Sequence, residues 1–316
     1  MTDPTFAAAP DDPGQRPGRL GVGVIGAGRV GAVLGSALRA AGHAVVAVSA
    51  VSAASRERAE VMLPGVPVLA VPEVIERAEL VLLTVPDDAL TDLVEGLASA
   101  GLWQPGQLLV HTSGRFGWRV LDAAARHGAI PLALHPAMTF TGTSLDLSRL
   151  VDCCFGVTAP NPVLPIAQAL VVEMGAEPVV VPEEARALYH AALAHGANHL
   201  VTLVAQSLDL LRGAGIEPAD RVLAPLLSAA LDNALRAGDG ALTGPVSRGD
   251  AGTVAAHVRA LATADAAAES TGVPAVLPLY RALARATAVR AMASGRLPAD
   301  RAEALLSALA DQGPTA

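Results

Sequence analysis

A glycine motif between an apolar run and a helical pattern is the feature that most constrains the fold. The apolar run covers residues 21–25, and Gly26, Gly28 and Gly31 then form G-x-G-x-x-G. Strand, glycine turn and helix in this order are typical of dinucleotide-binding folds, because the glycines permit a tight turn and close approach of a pyrophosphate. The predicted cofactor-binding residues of this turn are Gly26, Ala27, Gly28, Arg29, Val30 and Gly31. The alternative is a tight βα turn without a ligand.

The second predicted strand covers residues 43–48. The segment that follows it bears on cofactor preference. An NAD site usually has an acidic residue at the end of this strand, whereas an NADP site has arginine and small hydroxyls there. Between the end of this strand and Glu57 there is no acidic residue, and this stretch contains Ser52, Ser55 and Arg56. These three side chains are therefore predicted ligands of a 2′-phosphate, and NADP is the predicted cofactor. The alternative is that Ser55 merely N-caps the next helix.

Strand-like runs alternate with helical patterns up to about residue 182. The further runs cover residues 66–69, 80–84, 108–111, 130–134, 153–157 and 178–181. This alternation predicts a Rossmann-type, doubly wound, mostly parallel sheet over residues 19–182, in which ligands lie beyond the carboxyl ends of the strands. Residues that follow the predicted strands are therefore candidates: Val85, Pro86, Thr112 and Ser113 for the cofactor, and Ser113 and His135 for the substrate.

The character of the chain changes at Pro182, where the strand signals stop. The later helical patterns cover residues 184–211, 219–237, 253–271, 276–293 and 300–310. We therefore predict an all-α domain over residues 183–316. Because this domain is rich in apolar residues, we also expect it to form the interface of a homodimer. Residues 1–18 contain several prolines and no apolar core, so they are predicted to be a disordered leader rather than a signal peptide.

Polar residues share one face of the first helix of this domain. At 100° per residue, His195, Asn198, His199 and Thr202 align, and His190 lies two turns before Asn198. Such a face is typical of a helix that lines a cleft. The two aligned histidines also have the i, i+4 spacing of a zinc helix, but neither the expected glutamate nor a third ligand is nearby, so no metal is predicted.

A second group of loop residues, 242–254, precedes another helical pattern. Arg248 lies close to the predicted helix start, where backbone N–H groups and a guanidinium can bind a carboxylate together. Asp250 or Thr253 is the predicted cap of that helix. The alternative is an ordinary loop between helices with a solvated arginine.

Composition excludes several functions. The net charge of −8 and an aromatic content of 3% argue against nucleic-acid binding. No uncharged apolar run reaches about 18 residues, so no membrane span is predicted, and the expected location is the cytoplasm. Cys153 and Cys154 are adjacent in an apolar run and are predicted to be buried strand residues rather than a disulfide. All 22 basic residues are arginine, which excludes chemistry that needs a lysine amine.

Together these residues resemble the NAD(P)-dependent reductases that join a Rossmann domain to a helical domain, such as the pyrroline-5-carboxylate, ketopantoate and β-hydroxyacid reductases. In particular, the chain resembles a family that pairs a Rossmann-like domain with a domain of unknown function of the 2520 type. The likeness is carried by the glycine motif, His135-Pro136, Tyr189-His190 with Asn198, and residues 242–250. It implies a helical domain similar to the C-terminal domain of 6-phosphogluconate dehydrogenase.

The ketopantoate reductases carry a catalytic lysine two turns before an asparagine on the first helix of the helical domain. Residues 198–203 are similar to that asparagine run, so the resemblance puts His190 in the place of the lysine. We therefore expect an NADP-dependent reductase of a small carbonyl- or imine-containing acid. In it His190 acts as general acid, Asn198 orients the substrate and Arg248 holds its carboxylate. The alternative is an NADP-binding sensor without turnover.

Overall fold

The computed structural model describes residues 19–268 and 275–310. They fall into two compact units that divide after Gly196. The first unit contains a mostly parallel sheet, and the described part of the second is helical. The predicted fold class, a Rossmann-type sheet followed by an all-α region, is therefore confirmed. The predicted leader, residues 1–18, lies outside the described residues.

Seven strands form the sheet of the first unit. They are β1 (Gly21–Ile25), β2 (Ala44–Ser49), β3 (Leu80–Leu83), β4 (Leu108–His111), β5 (Ile130–Pro136), β6 (Cys154–Thr158) and β7 (Glu177–Val180). Their order across the sheet is β2-β1-β3-β4-β5-β6-β7, and every neighbouring pair is parallel except β5 and β6. The carboxyl ends of β1 to β5 therefore meet at one edge, where ligands of such sheets bind.

The prediction of a strand over residues 66–69 is wrong. This segment makes only a single bridge, between Val68 and Val48, at the outer edge of the sheet. Pro67 has no N–H to donate to a ladder, which limits the pairing of this segment. Its carbonyl oxygen accepts a hydrogen bond from the N–H of Val48, at 3.0 Å.

Helices cover both faces of the sheet. They are α1 (Arg29–Ala40), α2 (Ala53–Met62), α3 (Val71–Arg77), α4 (Asp87–Ser99), α5 (Asp122–Ala125), α6 (Leu145–Leu150), α7 (Leu164–Glu173) and α8 (Arg186–Leu193). Alternate strand residues enter different cores, because successive side chains point to opposite faces. Leu80 and Leu82 pack in one core, and Val81 and Leu83 pack in the other.

The helix that follows Pro182 belongs to the first unit. A π-helical turn, Ala194–Asn198, separates α8 from the next helix, so the single helix predicted over residues 184–211 is interrupted. Gly196, which disfavours regular helix, lies inside this turn. The compact units thus divide later in the chain than the domain boundary predicted at residue 182.

Six helices build the described part of the second unit. They are α9 (His199–Gly213), α10 (Ala219–Ala237), α11 (Gly244–Arg248), α12 (Ala251–Ala268), α13 (Leu277–Ala293) and α14 (Ala299–Ala308). Their core lies between the last three, where Val254, Ala288 and Leu305 are fully buried. Of the helix predicted over residues 253–271, the last three residues lie outside the described ranges. None of the helices within those ranges combines the length and hydropathy that a membrane span requires.

Candidate active site

The loop between β1 and α1 has the geometry of a phosphate-binding turn. Gly26 has φ +95°, which favours glycine, and a Cβ on Gly31 would collide with the carbonyl oxygen of Gly26. On the side where Gly28 would carry a Cβ, no atom lies nearer than 4.0 Å. Helix α1 begins at Arg29 with no side-chain cap and no acidic residue in its first turn, so its N–H groups can bind an anion. These residues fit a dinucleotide pyrophosphate.

Thr84, which sequence reasoning left unassigned, fixes this loop. Its hydroxyl donates to the carbonyl oxygen of Gly26 at 2.5 Å, from the carboxyl end of the neighbouring strand β3. Val85 and Pro86 follow at the same strand end, half-buried and exposed respectively, and their contact with a cofactor stays a prediction. A threonine directly after a strand that neighbours the glycine loop was the signal available in the sequence.

The predicted 2′-phosphate ligands lie at the carboxyl end of β2. Ser52 N-caps α2 by accepting the N–H of Ser55 at 3.1 Å, so the alternative that Ser55 is the cap is wrong. The hydroxyl of Ser55 donates to the carbonyl oxygen of Ser52 at 2.8 Å. Nε of Arg56 lies 3.3 Å from the carbonyl oxygen of Ala50, and its side chain is exposed. Their role toward a cofactor stays a prediction.

The residues after β4 are held within the protein. His111 is fully buried; its Nδ1 accepts the N–H of Ser113 at 3.2 Å, so its Nε2 donates to the carbonyl oxygen of Gly117 at 2.9 Å. Burial lowers the pKa of His111 to about 3, which keeps the ring neutral. The Ser113 hydroxyl accepts the N–H of Phe116 at 3.3 Å, and the residue is buried. This geometry gives Ser113 a structural role beside its predicted contacts, while Thr112 is half-buried.

Two histidines and a tyrosine meet at the carboxyl end of β5. Nδ1 of His135 lies 2.9 Å from the hydroxyl of Tyr189, and the His135 and His190 rings are 6.0 Å apart in a T-shaped arrangement. Both imidazoles rest on Gly114. A Cβ there would lie 2.6 Å from Cδ2 of His190 and 2.8 Å from Nε2 of His135. The predicted residues His135 and His190 are thus brought together inside the first unit.

A buried arginine, Arg186, anchors this cluster and was missed at the sequence level. Arg186 is 1% exposed, and the hydrogen bonds of its guanidinium go to neutral oxygens. These are Thr158 Oγ1 at 2.7 Å, Gly156 O at 2.9 Å, Ala133 O at 3.0 Å and Ser113 O at 3.4 Å. A basic residue at the first position of a helix opposes the helix dipole, and this was the available signal.

The buried cation shapes the protonation of its neighbours. Burial, together with the charges of Arg186 and His190, lowers the pKa of His135 to about 4. Burial raises the pKa of the Tyr189 phenol, which therefore keeps its proton. Near neutral pH, His135 is neutral and Tyr189 is protonated, and one hydrogen bond joins them. His190 lies half-buried beside His135.

Asn198 and Arg248 belong to the second unit. Asn198 is exposed at the end of the π-helical turn, and Arg248 is the last residue of α11, where a loop was predicted. Asp250 caps α12 by accepting the N–H of Thr253 at 3.0 Å, which confirms one of the two predicted caps. The unit also has a mostly apolar cavity of about 520 Å³, whose lining includes neither Asn198 nor Arg248. In the described ranges, no three His, Cys, Asp or Glu side chains are grouped to hold a metal ion.

Two family models match this chain. A Rossmann-like domain matches residues 1–136, and a domain of unknown function, DUF2520, matches residues 153–287. The chain therefore matches a Rossmann-like domain model followed by a DUF2520 model, and the predicted resemblance is confirmed. No curated protein sequence matches it.

Several solved structures share the fold. A provisionally assigned NADP oxidoreductase of Bacteroides fragilis is 23% identical, with a TM-score of 0.69 over 86% of this chain and 98% of that one. A reductive aminase of Aspergillus terreus in complex with NADPH and ethyl levulinate is 20% identical, with a TM-score of 0.59 over 91% and 99%. A pyrroline-5-carboxylate reductase of Coxiella burnetii is 14% identical, with a TM-score of 0.51 over 92% and 97%.

Proposed function

We propose that this protein is an NADPH-dependent reductase of a small acid that carries a carbonyl or imine group. The observation that carries the proposal is the placement of two groups of residues. The glycine loop follows β1, and His135 lies in the last two residues of β5, so both lie at the carboxyl edge of the parallel strands. That edge is where a dinucleotide and its substrate bind in folds of this type. The structural neighbours include a reductive aminase in complex with NADPH and a pyrroline-5-carboxylate reductase, which supports the same class of reaction.

The chemistry that bound NADPH would supply is hydride transfer. The proton that the reduction also needs must come from the protein or from solvent. His190 is the proposed general acid, since an imidazolium can donate a proton to a carbonyl oxygen or an imine nitrogen near neutral pH. Neutral His135, hydrogen-bonded to Tyr189, positions the His190 ring through their T-shaped contact. The buried cation Arg186 lies beneath this cluster, and its charge would favour an anionic substrate.

The roles of residues from the second unit are also proposals. Asn198 would orient the substrate, and Arg248 would bind its carboxylate with the bidentate geometry that guanidinium groups favour. Ser52, Ser55 and Arg56 would contact the 2′-phosphate, and Thr112 and Ser113 the nicotinamide side. The choice of NADP over NAD rests on the absence of an acidic residue at the end of β2.

The deciding experiment is a titration followed by a turnover assay. NADPH and NADH are titrated by fluorescence, and NADPH oxidation is then followed with 2-keto, 3-keto and cyclic-imine acids. We expect tighter binding of NADPH and turnover with at least one substrate class. Failure to bind either nucleotide contradicts the proposal, and a preference for NADH contradicts the roles of Ser52, Ser55 and Arg56. Binding without turnover across the panel favours an NADP sensor instead.

We also propose a cytoplasmic homodimer that associates through the helical unit. Large apolar side chains are exposed along α9 and α10, including Val201 at 70%, Leu226 at 67% and Leu235 at 79% exposure. Apolar surface of this extent is typical of an interface. Light scattering coupled to size-exclusion chromatography should give twice the chain mass of 31.8 kDa. A monomer at micromolar concentration contradicts the dimer and leaves the reductase proposal intact.

A further inference from the structure

An arginine that sequence reasoning did not assign lies beside the proposed cofactor site. Arg58 is half-buried on α2, two positions beyond Arg56, and its side chain approaches the loop that follows β5. A Cβ on Gly142 of that loop would lie 2.7 Å from Nε of Arg58 and 3.0 Å from Cγ of Arg29. The side chains of two arginines from different helices therefore pack against one buried glycine.

These cations lack an anionic partner in the described part of the chain. No carboxylate there lies within 4.0 Å of a guanidinium nitrogen of Arg29, Arg56 or Arg58. An arginine side chain without a carboxylate partner is available to pair with a bound anion. Because Arg29 begins α1 and Arg58 lies on the helix after β2, an anion bound between them would belong to the adenosine half of a dinucleotide.

A buried carboxylate holds the loop against the arginines. Asp146 is fully buried and accepts the N–H groups of Thr141 and Gly142, each at 2.8 Å, and the hydroxyl of Thr141 at 2.9 Å. Burial alone would raise its pKa, but these hydrogen bonds lower the pKa below its usual value, so the carboxylate stays ionised. Gly142 itself has φ +81°. The loop is therefore fixed in position by local bonds rather than by the arginines.

We propose that residues 141–143 form the outer wall of the pocket for the adenosine 2′-phosphate. Arg58 is the principal cation of this pocket, and Asp146 is the residue that positions the wall. This proposal rests on the proposed use of NADPH and deepens it: specificity depends on a loop distant in sequence from β2 as well as on residues 52–56. Arg56, whose Nε lies 3.3 Å from the carbonyl oxygen of Ala50, contributes less.

The test uses 2′,5′-ADP and 5′-AMP as probes, because they differ only by the 2′-phosphate. Calorimetry gives the dissociation constant of each for the full-length protein. Gly142→Ala should weaken 2′,5′-ADP by about tenfold and 5′-AMP by less than about twofold, since the added Cβ displaces Arg58. Gly65→Ala is the matched control, because Gly65 has φ +79° but no atom within 4 Å of its Cβ position. It should leave both constants unchanged.

Side-chain variants keep the test independent of backbone strain. Arg58→Gln should weaken 2′,5′-ADP by about tenfold or more, and Arg56→Gln by less than about threefold. Asp146→Asn should lower the ratio of the two affinities without abolishing 5′-AMP binding. If Gly142→Ala and Arg58→Gln match their controls while the native chain prefers 2′,5′-ADP, the inference is overturned and the use of NADPH stands. If the native chain binds neither probe, or both equally, the proposed NADPH site fails as well.

Discussion

The two ends of the proposed site differ in where they keep their charge. At the adenosine end, Arg29 and Arg56 are exposed cations around a loop that backbone hydrogen bonds and the Thr84 hydroxyl hold in place. At the β5 end, the permanent charge is buried in Arg186 and the side chains above it are held in fixed protonation states. Exposed charge is available to an anionic ligand, whereas the buried charge of Arg186 orders the strand ends through hydrogen bonds and helps keep His135 neutral.

The largest expected effect tests whether the β5 end depends on its buried cation. Arg186→Met removes the buried guanidinium that donates to the carbonyl oxygens of Ala133 and Gly156, so the free energy of unfolding should fall by about 3 kcal/mol. Urea denaturation measures the change. Arg126→Met, at an exposed position, should change it by less than about 0.5 kcal/mol. Equal stability of the two variants would show that the buried charge is not structural.

The next effect distinguishes chemistry from binding. His190→Ala should lower turnover by about 100-fold, equivalent to about 2.7 kcal/mol of activation free energy, because the proposed proton donor is lost. The dissociation constant of NADPH should stay within about twofold, since the adenosine end is unchanged. His127→Ala, an exposed histidine after α5, is the control. A normal rate in His190→Ala would remove this residue from the mechanism.

A smaller effect concerns pH. Burial lowers the pKa of His111 to about 3, so the unfolded chain binds more protons below pH 6.5 and stability is lost as the pH falls. Between pH 7.5 and pH 5 this histidine alone should reduce the free energy of unfolding by about 2 kcal/mol. His111→Gln should be less stable at pH 7.5 but show a flatter pH dependence. Parallel urea curves for both proteins at each pH would contradict the neutral, buried state.

The smallest effect tests the packing of the imidazoles. Gly114→Ala places a methyl group 2.6 Å from the ring of His190, which must move, so we expect about a tenfold loss of turnover, equivalent to about 1.4 kcal/mol. Gly96→Ala in α4 meets no atom within 4 Å and should keep full activity. A fully active Gly114→Ala would show that the His135–His190 contact does not matter for catalysis.

The two ends also differ in how far sequence alone predicts them. The glycine loop and the cap by Asp250 depend on residues a few positions apart, so local patterns were sufficient. The contact of His135 with Tyr189 joins residues 54 positions apart, and no local pattern encodes it. Arg58 and Gly142 meet for the same reason, across two separate βα connections. The π-helical turn could not be predicted for a different reason, because the helical period of the sequence continues through it without a break.

Arg186 has a further consequence for how this chain can be divided. Its guanidinium joins Ala133 on β5 to Gly156 on β6, which is the one antiparallel junction of the sheet. A truncated chain that stops at residue 182 would contain every strand yet lack the side chain that ties the two strand directions together. We expect such a fragment to fray at β6 and β7, whereas a fragment extended through α8 should fold by itself. The smallest independent piece of this protein is therefore set by a single helix beyond its last strand.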